Sequence, residues 1–212
     1  MNTGKHGRMV GKSMWIGVVP WLLISSAFAE DTPRSSMRAG LKAYEQGDYT
    51  NAVTHLKKTA LEFPGVGNYN LGNAQYRAGE FEAAAESYTE ALRTSDVELQ
   101  AKAYFNRGAA LLARTTALTG QEQIGTAIQL AFEAMDQFEK SLLLAPDDLE
   151  AKQNFERAGR LRLKLEYNLG RWHYDQAEDL LSRFKAKDAR TNYQQARKQF
   201  NHILENVYPD HG

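Results

Sequence analysis

The sequence offers few residues with which to do covalent chemistry. Cysteine is absent, which excludes thiol nucleophiles, thiolate metal sites and disulfides together. Beyond His6 near the start, the histidines His55, His173, His202 and His211 are scattered, with no spacing that gathers them around a metal or beside a nucleophile. Gly65-Val66-Gly67 lacks the strand context of a phosphate-binding turn, and the acidic residues fall at helical spacings that make solvated i,i+4 pairs. No catalytic residue, metal ligand or cofactor is expected. What does recur is an amide: Asn70, Asn106 and Asn154 stand two residues before Gly72, Gly108 and Glu156. An Asn side chain both donates and accepts, so a ladder of them suits the main chain of an extended peptide. The same side chains have a second use, bonding one structural unit to the next, and spacing alone leaves both open.

The elements that would carry these amides are visible as a repeat. Gly40-Leu41-Lys42-Ala43-Tyr44-Glu45-Gln46-Gly47-Asp48 is echoed by Gly72-Asn73-Ala74-Gln75-Tyr76-Arg77-Ala78-Gly79-Glu80, and its opening by Gly108-Ala109-Ala110-Leu111-Leu112. Ala52 and Ala84 each follow twelve residues after a glycine, with Leu56 and Tyr88 four further on. Two antiparallel helices approach closely only where bulk is missing, so Gly on one helix and Ala on the next predict a tight crossing. Gly47-Asp48 and Gly79-Glu80 supply the turns between paired helices, and Pro64 closes the first unit. A helix pair of this size cannot bury its apolar stripe alone, so neighbouring pairs must stack.

That layout resembles the tetratricopeptide-repeat family, with a period near 34 residues, over roughly residues 33–165. More narrowly, Tyr69-Asn70-Leu71-Gly72-Asn73-Ala74, the stretch Leu99 to Gly108 and the stretch Ala145 to Asn154 resemble the repeat proteins of Bat-type aerotolerance systems. The resemblance implies an all-α, tetratricopeptide-type α-solenoid whose first helices line a concave, partner-binding groove. By the family's geometry Tyr44, Asn73, Tyr76, Arg77, Lys102 and Phe105 flank the ladder of Asn70, Asn106 and Asn154. A subset of the family clamps a C-terminal carboxylate with Lys, Asn and Arg. Asn70 and Lys102 match that pattern, but Met37, Leu41 and Asn106 stand at its other places, so no carboxylate clamp is expected.

The third unit departs from the family. Ala134 lies 26 residues past Gly108 where twelve is usual, so 14 extra residues should lengthen both helices by about two turns, with Thr119-Gly120-Gln121 as the tip. The C-terminal third departs again. Ala189, Tyr193, Ala196, Phe200, Ile203 and Val207 form a heptad stripe, and Phe155, Ala158, Leu165, Leu169, Trp172 and Leu180 hold a compatible phase upstream. This predicts a long helix over 148–185 packed against a helix over 188–207, capped by Asp188, with Trp172 beside Phe200 and Leu169 beside Ile203. A break near Tyr167–Gly170, which echoes the start of the second repeat, is the alternative. His173 and His202 are expected to turn away from that seam.

The organisation expected is a leader over 1–29, helix pairs over 33–64, 65–97 and 98–147 within a unit of 30–147, a helical hairpin over 148–208 and a frayed tail over 209–212. Lys5, Arg8 and Lys12 precede an apolar run from Met14 to Ile24, too short to span a bilayer comfortably, and Ala27-Phe28-Ala29 suits a signal peptidase. Cleavage before Glu30 is the expectation and an uncleaved anchor its rival; no stable membrane insertion is expected afterwards. Taking those three basic residues from 26 leaves 23 against 26 acidic ones, a balance that argues against nucleic acid as a partner. The function expected is an exported, periplasmic scaffold or adaptor for protein partners in the bacterial cell envelope. The Bat-type resemblance implies membrane-anchored partners with von Willebrand factor A domains. The alternative expectation is an envelope-assembly carrier for unfolded or lipid-modified clients.

Overall fold

The computed structural model describes residues 32–207. The leader over 1–29 and the tail over 209–212 lie outside the described residues. Within them the chain forms eight α-helices: α1 (Pro33–Glu45), α2 (Tyr49–Lys57), α3 (Pro64–Arg77), α4 (Phe81–Ala91), α5 (Val97–Ala117), α6 (Ile124–Leu144), α7 (Leu149–Ser182) and α8 (Ala186–Val207). Each helix packs on the next in order, which is the stacking of an α-solenoid. The helix starts follow local chemistry: Asp48, Asp96 and Asp148 accept hydrogen bonds from the first free backbone N–H groups of α2, α5 and α7. Pro64 opens α3 at its first position instead of closing the unit before it, because the N–H it lacks has no helical partner there.

One contact recurs through the stack. A Cβ on Gly40 would lie 2.6 Å from Leu56 Cγ, one on Gly72 2.7 Å from Tyr88 Cε1, and one on Gly108 2.9 Å from Phe138 Cε1. The glycine of each first helix therefore receives the large side chain of the second, and Leu56, Tyr88 and Phe138 are all fully enclosed. Ala52, Ala84 and Ala134, four residues earlier, are buried at the same crossings. The spacing from glycine to large residue stretches in the third pair, and both of its helices have 21 residues where α3 has 14 and α4 has 11. The tip between them is Leu118 to Gly120 followed by a 3-10 turn over Gln121–Gln123.

The same contact appears a fourth time, in α7 and α8. A Cβ on Gly170 would lie 2.8 Å from Phe200 Cε1, and Ala196 is buried four residues before Phe200. The seam of this hairpin differs from the one expected. Glu166, Gly170, His173 and Ala177 face α8, with Tyr167 tilted against Phe200 at 5.9 Å and His173 Nδ1 3.3 Å from Asn192 Oδ1. Trp172 is not beside Phe200; it is 40% exposed and stands edge-on to His173. His202 stays exposed but reaches across to α7, its Nε2 3.4 Å from Oε1 of the buried Glu166, which also accepts from Arg162 at 2.9 Å. The reason is steric: a close helix crossing selects the small residue, and Gly170 claims the position opposite Phe200 that the larger Trp172 cannot enter. The hairpin consequently turns about Phe184, and Asp188 sits in the first turn of α8, not before it.

The turn itself is unusual. In the α1–α2 turn Gly47 donates to Tyr44 O and Asp48 to Ala43 O; in the α3–α4 turn Gly79 donates to Tyr76 O and Glu80 to Gln75 O. Both glycines have positive φ, 78° and 81°. In the α7–α8 turn Phe184 donates to Leu181 O and Lys185 to Leu180 O, the same pair of bonds, with Phe184 at φ 59°. A side chain in the left-handed region costs roughly 1–2 kcal/mol that glycine does not incur.

Candidate functional site

The first helices of the pairs face a common groove of about 440 Å³. Tyr44 of α1, Asn73, Tyr76 and Arg77 of α3, Phe105 and Asn106 of α5 and Asn154 of α7 all line it. Tyr88, Ala109, Leu112, Glu150 and Arg157 complete the lining. Asn70 and Lys102 do not contribute. Asn70 is half-buried on α3, outside the groove lining, and Lys102 is exposed and held by Glu98 one turn earlier on α5. That ion pair also raises the Lys102 ammonium pKa, chiefly through the hydrogen bond that Lys102 donates to Glu98. The amides that meet are Asn73 and Asn106, not Asn70 and Asn106.

Their geometry divides the two uses an Asn has. Asn73 Oδ1 accepts from Tyr88 Oη at 2.9 Å and from Asn106 Nδ2 at 3.0 Å, while Asn106 Nδ2 also donates to Tyr69 Oη at 3.1 Å. These bonds tie α3, α4 and α5 together, so half of each amide is structural. The other half of each takes no part in these bonds: Asn73 Nδ2 remains as a donor and Asn106 Oδ1 as an acceptor on two residues that line the groove. One donor and one acceptor side by side match the C=O and N–H of a peptide unit. Burial pushes the Tyr88 phenol well above its ordinary value, with Tyr69, Tyr44 and Tyr76 adding to the effect, so its hydroxyl remains a donor to Asn73.

The rim is aromatic and charged. Arg77 Nη2 donates to Tyr49 Oη at 2.7 Å, and its guanidinium lies 5.1 Å from the centre of that ring. Tyr76 meets Phe81 edge-on, and Phe105 meets Phe138 in the same way, which holds both groove rings in fixed orientations. On α7, Glu150, Asn154 and Arg157 lie at spacings of four and three, one face of a helix. Glu150 and Arg157 were not picked out from the sequence, although their spacing around Asn154 carried the signal. Tyr88 was read only as a packing residue. Among the described residues no three His, Asp or Glu side chains gather as metal ligands, and no helix is long and apolar enough to cross a membrane.

Eight stacked helices with a groove along the first member of each pair define an α-solenoid. Residues 69–129, from within α3 into α6, match the sequence profile of the tetratricopeptide repeat. No curated protein matches the chain. Among solved structures, the second TPR domain of the human RPAP3 protein, determined in complex with an HSP70 peptide, aligns at 19% identity. It covers 60% of this chain and 98% of that one, with a TM-score of 0.48. MamA protein aligns at 18% identity over 84% of this chain and 96% of that one, with a TM-score of 0.37. The described chain is thus an all-α solenoid of antiparallel helix pairs, with the tetratricopeptide match confined to its middle.

Proposed function

We propose that this chain is an exported scaffold of the bacterial cell envelope that holds an extended segment of a partner protein in the groove between Tyr44 and Arg157. The observation that carries this reading is the paired amide of Asn73 and Asn106, anchored on one side by Tyr69 and Tyr88 and open on the other. It offers main-chain recognition at a fixed place, with Tyr76 and Phe105 as aromatic walls. The apolar run before Ala27-Phe28-Ala29 supports export to the periplasm. The Bat-type resemblance supports a membrane-anchored partner complex that includes von Willebrand factor A-domain proteins.

A second reading is favoured by Phe105, Ala109 and Leu112, three apolar residues on one face of α5 within the groove. They suit a carrier of unfolded or lipid-modified clients. Salt separates the readings, because polar recognition weakens as salt rises and apolar capture does not. The test is capture from cross-linked envelopes with the wild type and with an Asn154→Ala/Arg157→Ala variant. Neither residue takes part in the Asn73–Asn106 network, so the variant keeps the fold while stripping one wall of the groove. The scaffold reading expects one defined partner that is lost with the variant and with raised salt. Equal capture by both proteins would move the binding surface elsewhere.

A further inference from the structure

We infer that the tip of the α7–α8 hairpin is a docking element for an anionic lipid surface, with Phe184 as its apolar wedge. Phe184 occupies the turn position that Gly47 and Gly79 fill in the α1–α2 and α3–α4 turns, with the same two backbone hydrogen bonds and a positive φ. The backbone there favours glycine, so local structure does not account for phenylalanine. Burial does not account for it either, since the side chain is 97% exposed. A large aromatic that strains its own turn and packs on nothing within the chain is placed for a surface outside it.

The charges around it say which kind of surface. Arg183, Lys185 and Lys187 are exposed within one turn of Phe184 and Arg190 lies further along α8, against Asp188 on that side and Glu178 and Asp179 on the other. Arg183 shares its charge with Asp179 at 3.1 Å, which leaves Lys185, Lys187 and Arg190 as the forward cations. An aromatic ring among cations fits the boundary between headgroups and acyl chains of an anionic bilayer, which accepts a wedge without a shaped pocket. The fold also holds the tip forward. Among the described elements α8 packs on α7 and on no other helix, and α7 meets α6 through its earlier turns, so the tip lies at the end of α7 away from the groove residues Glu150, Asn154 and Arg157.

The absence of cysteine permits a single-site probe. An environment-sensitive fluorophore on Ala186→Cys of the full chain reports the tip, and one on Thr119→Cys reports the α5–α6 tip as a control. Any contribution of the apolar run near residue 20 is common to both labels. On phosphatidylglycerol–phosphatidylethanolamine vesicles the Ala186 probe should shift to the blue and the Thr119 probe should not, with no shift of either on phosphatidylcholine vesicles. Phe184→Gly should weaken the partition that the Ala186 probe reads by about tenfold or more, and Lys185→Glu/Lys187→Glu should do likewise through the lost attraction. Phe184→Gly should at the same time raise the thermal midpoint, which separates lost docking from lost folding. An Ala186 probe that stays aqueous on anionic vesicles, or that shifts equally in the Phe184→Gly variant, overturns the inference.

Discussion

Replacing Gly72 by Ala puts the packing argument at risk most cleanly. The added Cβ would lie 2.7, 2.8 and 3.0 Å from Cε1, Cδ1 and Cζ of Tyr88. Carbon atoms in contact prefer about 3.5–4.0 Å, so the methyl overlaps three ring atoms by roughly 0.8 Å. The ring has little freedom to yield: Tyr88 is 1% exposed, and its hydroxyl is bonded to Asn73. Relief requires α3 and α4 to separate, and overpacking of this kind costs about 1–3 kcal/mol. Against that, Ala is better than Gly within a helix by roughly 0.5–1 kcal/mol. The net expectation is a loss of up to about 2.5 kcal/mol, read as a lower urea midpoint by far-UV circular dichroism at unchanged slope. Gly125→Ala is the control, because nothing lies within 4 Å of the Cβ it adds near the start of α6. That variant should be neutral or slightly more stable. If Gly72→Ala matched Gly125→Ala in gaining stability, the close crossing would not be what selects glycine.

Two further expectations follow from particular side chains. The Tyr88 phenol is held protonated in the folded state while the unfolded chain ionises near its ordinary value of 10.0. Its contribution is therefore complete below about pH 10 and is lost as pH rises beyond it, at up to roughly 1.4 kcal/mol per pH unit. Denaturation of the wild type and of Tyr88→Phe at neutral pH and at about pH 11 should show the variant losing less; parallel losses would contradict the assignment. In the hairpin, Phe200→Ala should cost about 2 kcal/mol or more, since it vacates the space against Gly170. Trp172→Ala should cost less than about 1 kcal/mol from its outer position, and the reverse order in thermal melts would restore the seam read from the heptad.

The repeat was legible because its signal is a deletion of bulk: glycine and alanine recur where helices cross, and that constraint operates on single residues at fixed spacing. The lengthened third pair was legible for the same reason, from Gly108 to Ala134. The hairpin register was not, because Trp172 and Leu169 outrank Gly170 and Ala177 in hydrophobicity, while the crossing selects for size. The groove was legible in part. Tyr44, Asn73, Tyr76, Arg77, Phe105, Asn106 and Asn154 meet, whereas Asn70 and Lys102 stand outside the lining. Which amides bond each other depends on how far α3 and α5 slide past one another, a tertiary quantity that helical periodicity does not contain. Phe184 was invisible as a turn residue because helix stops are recognised by glycine, and here the turn does without one.

The central claim is that partner protein lies in the groove between the first helices. A photo-crosslinking amino acid at Tyr76, compared in living cells with the same residue at Glu86 on the exposed face of α4, tests it most directly. The account predicts a defined protein adduct from position 76, diminished by Asn154→Ala/Arg157→Ala, and none from position 86. An adduct from position 86 alone, or one from position 76 indifferent to the groove variant, would contradict it.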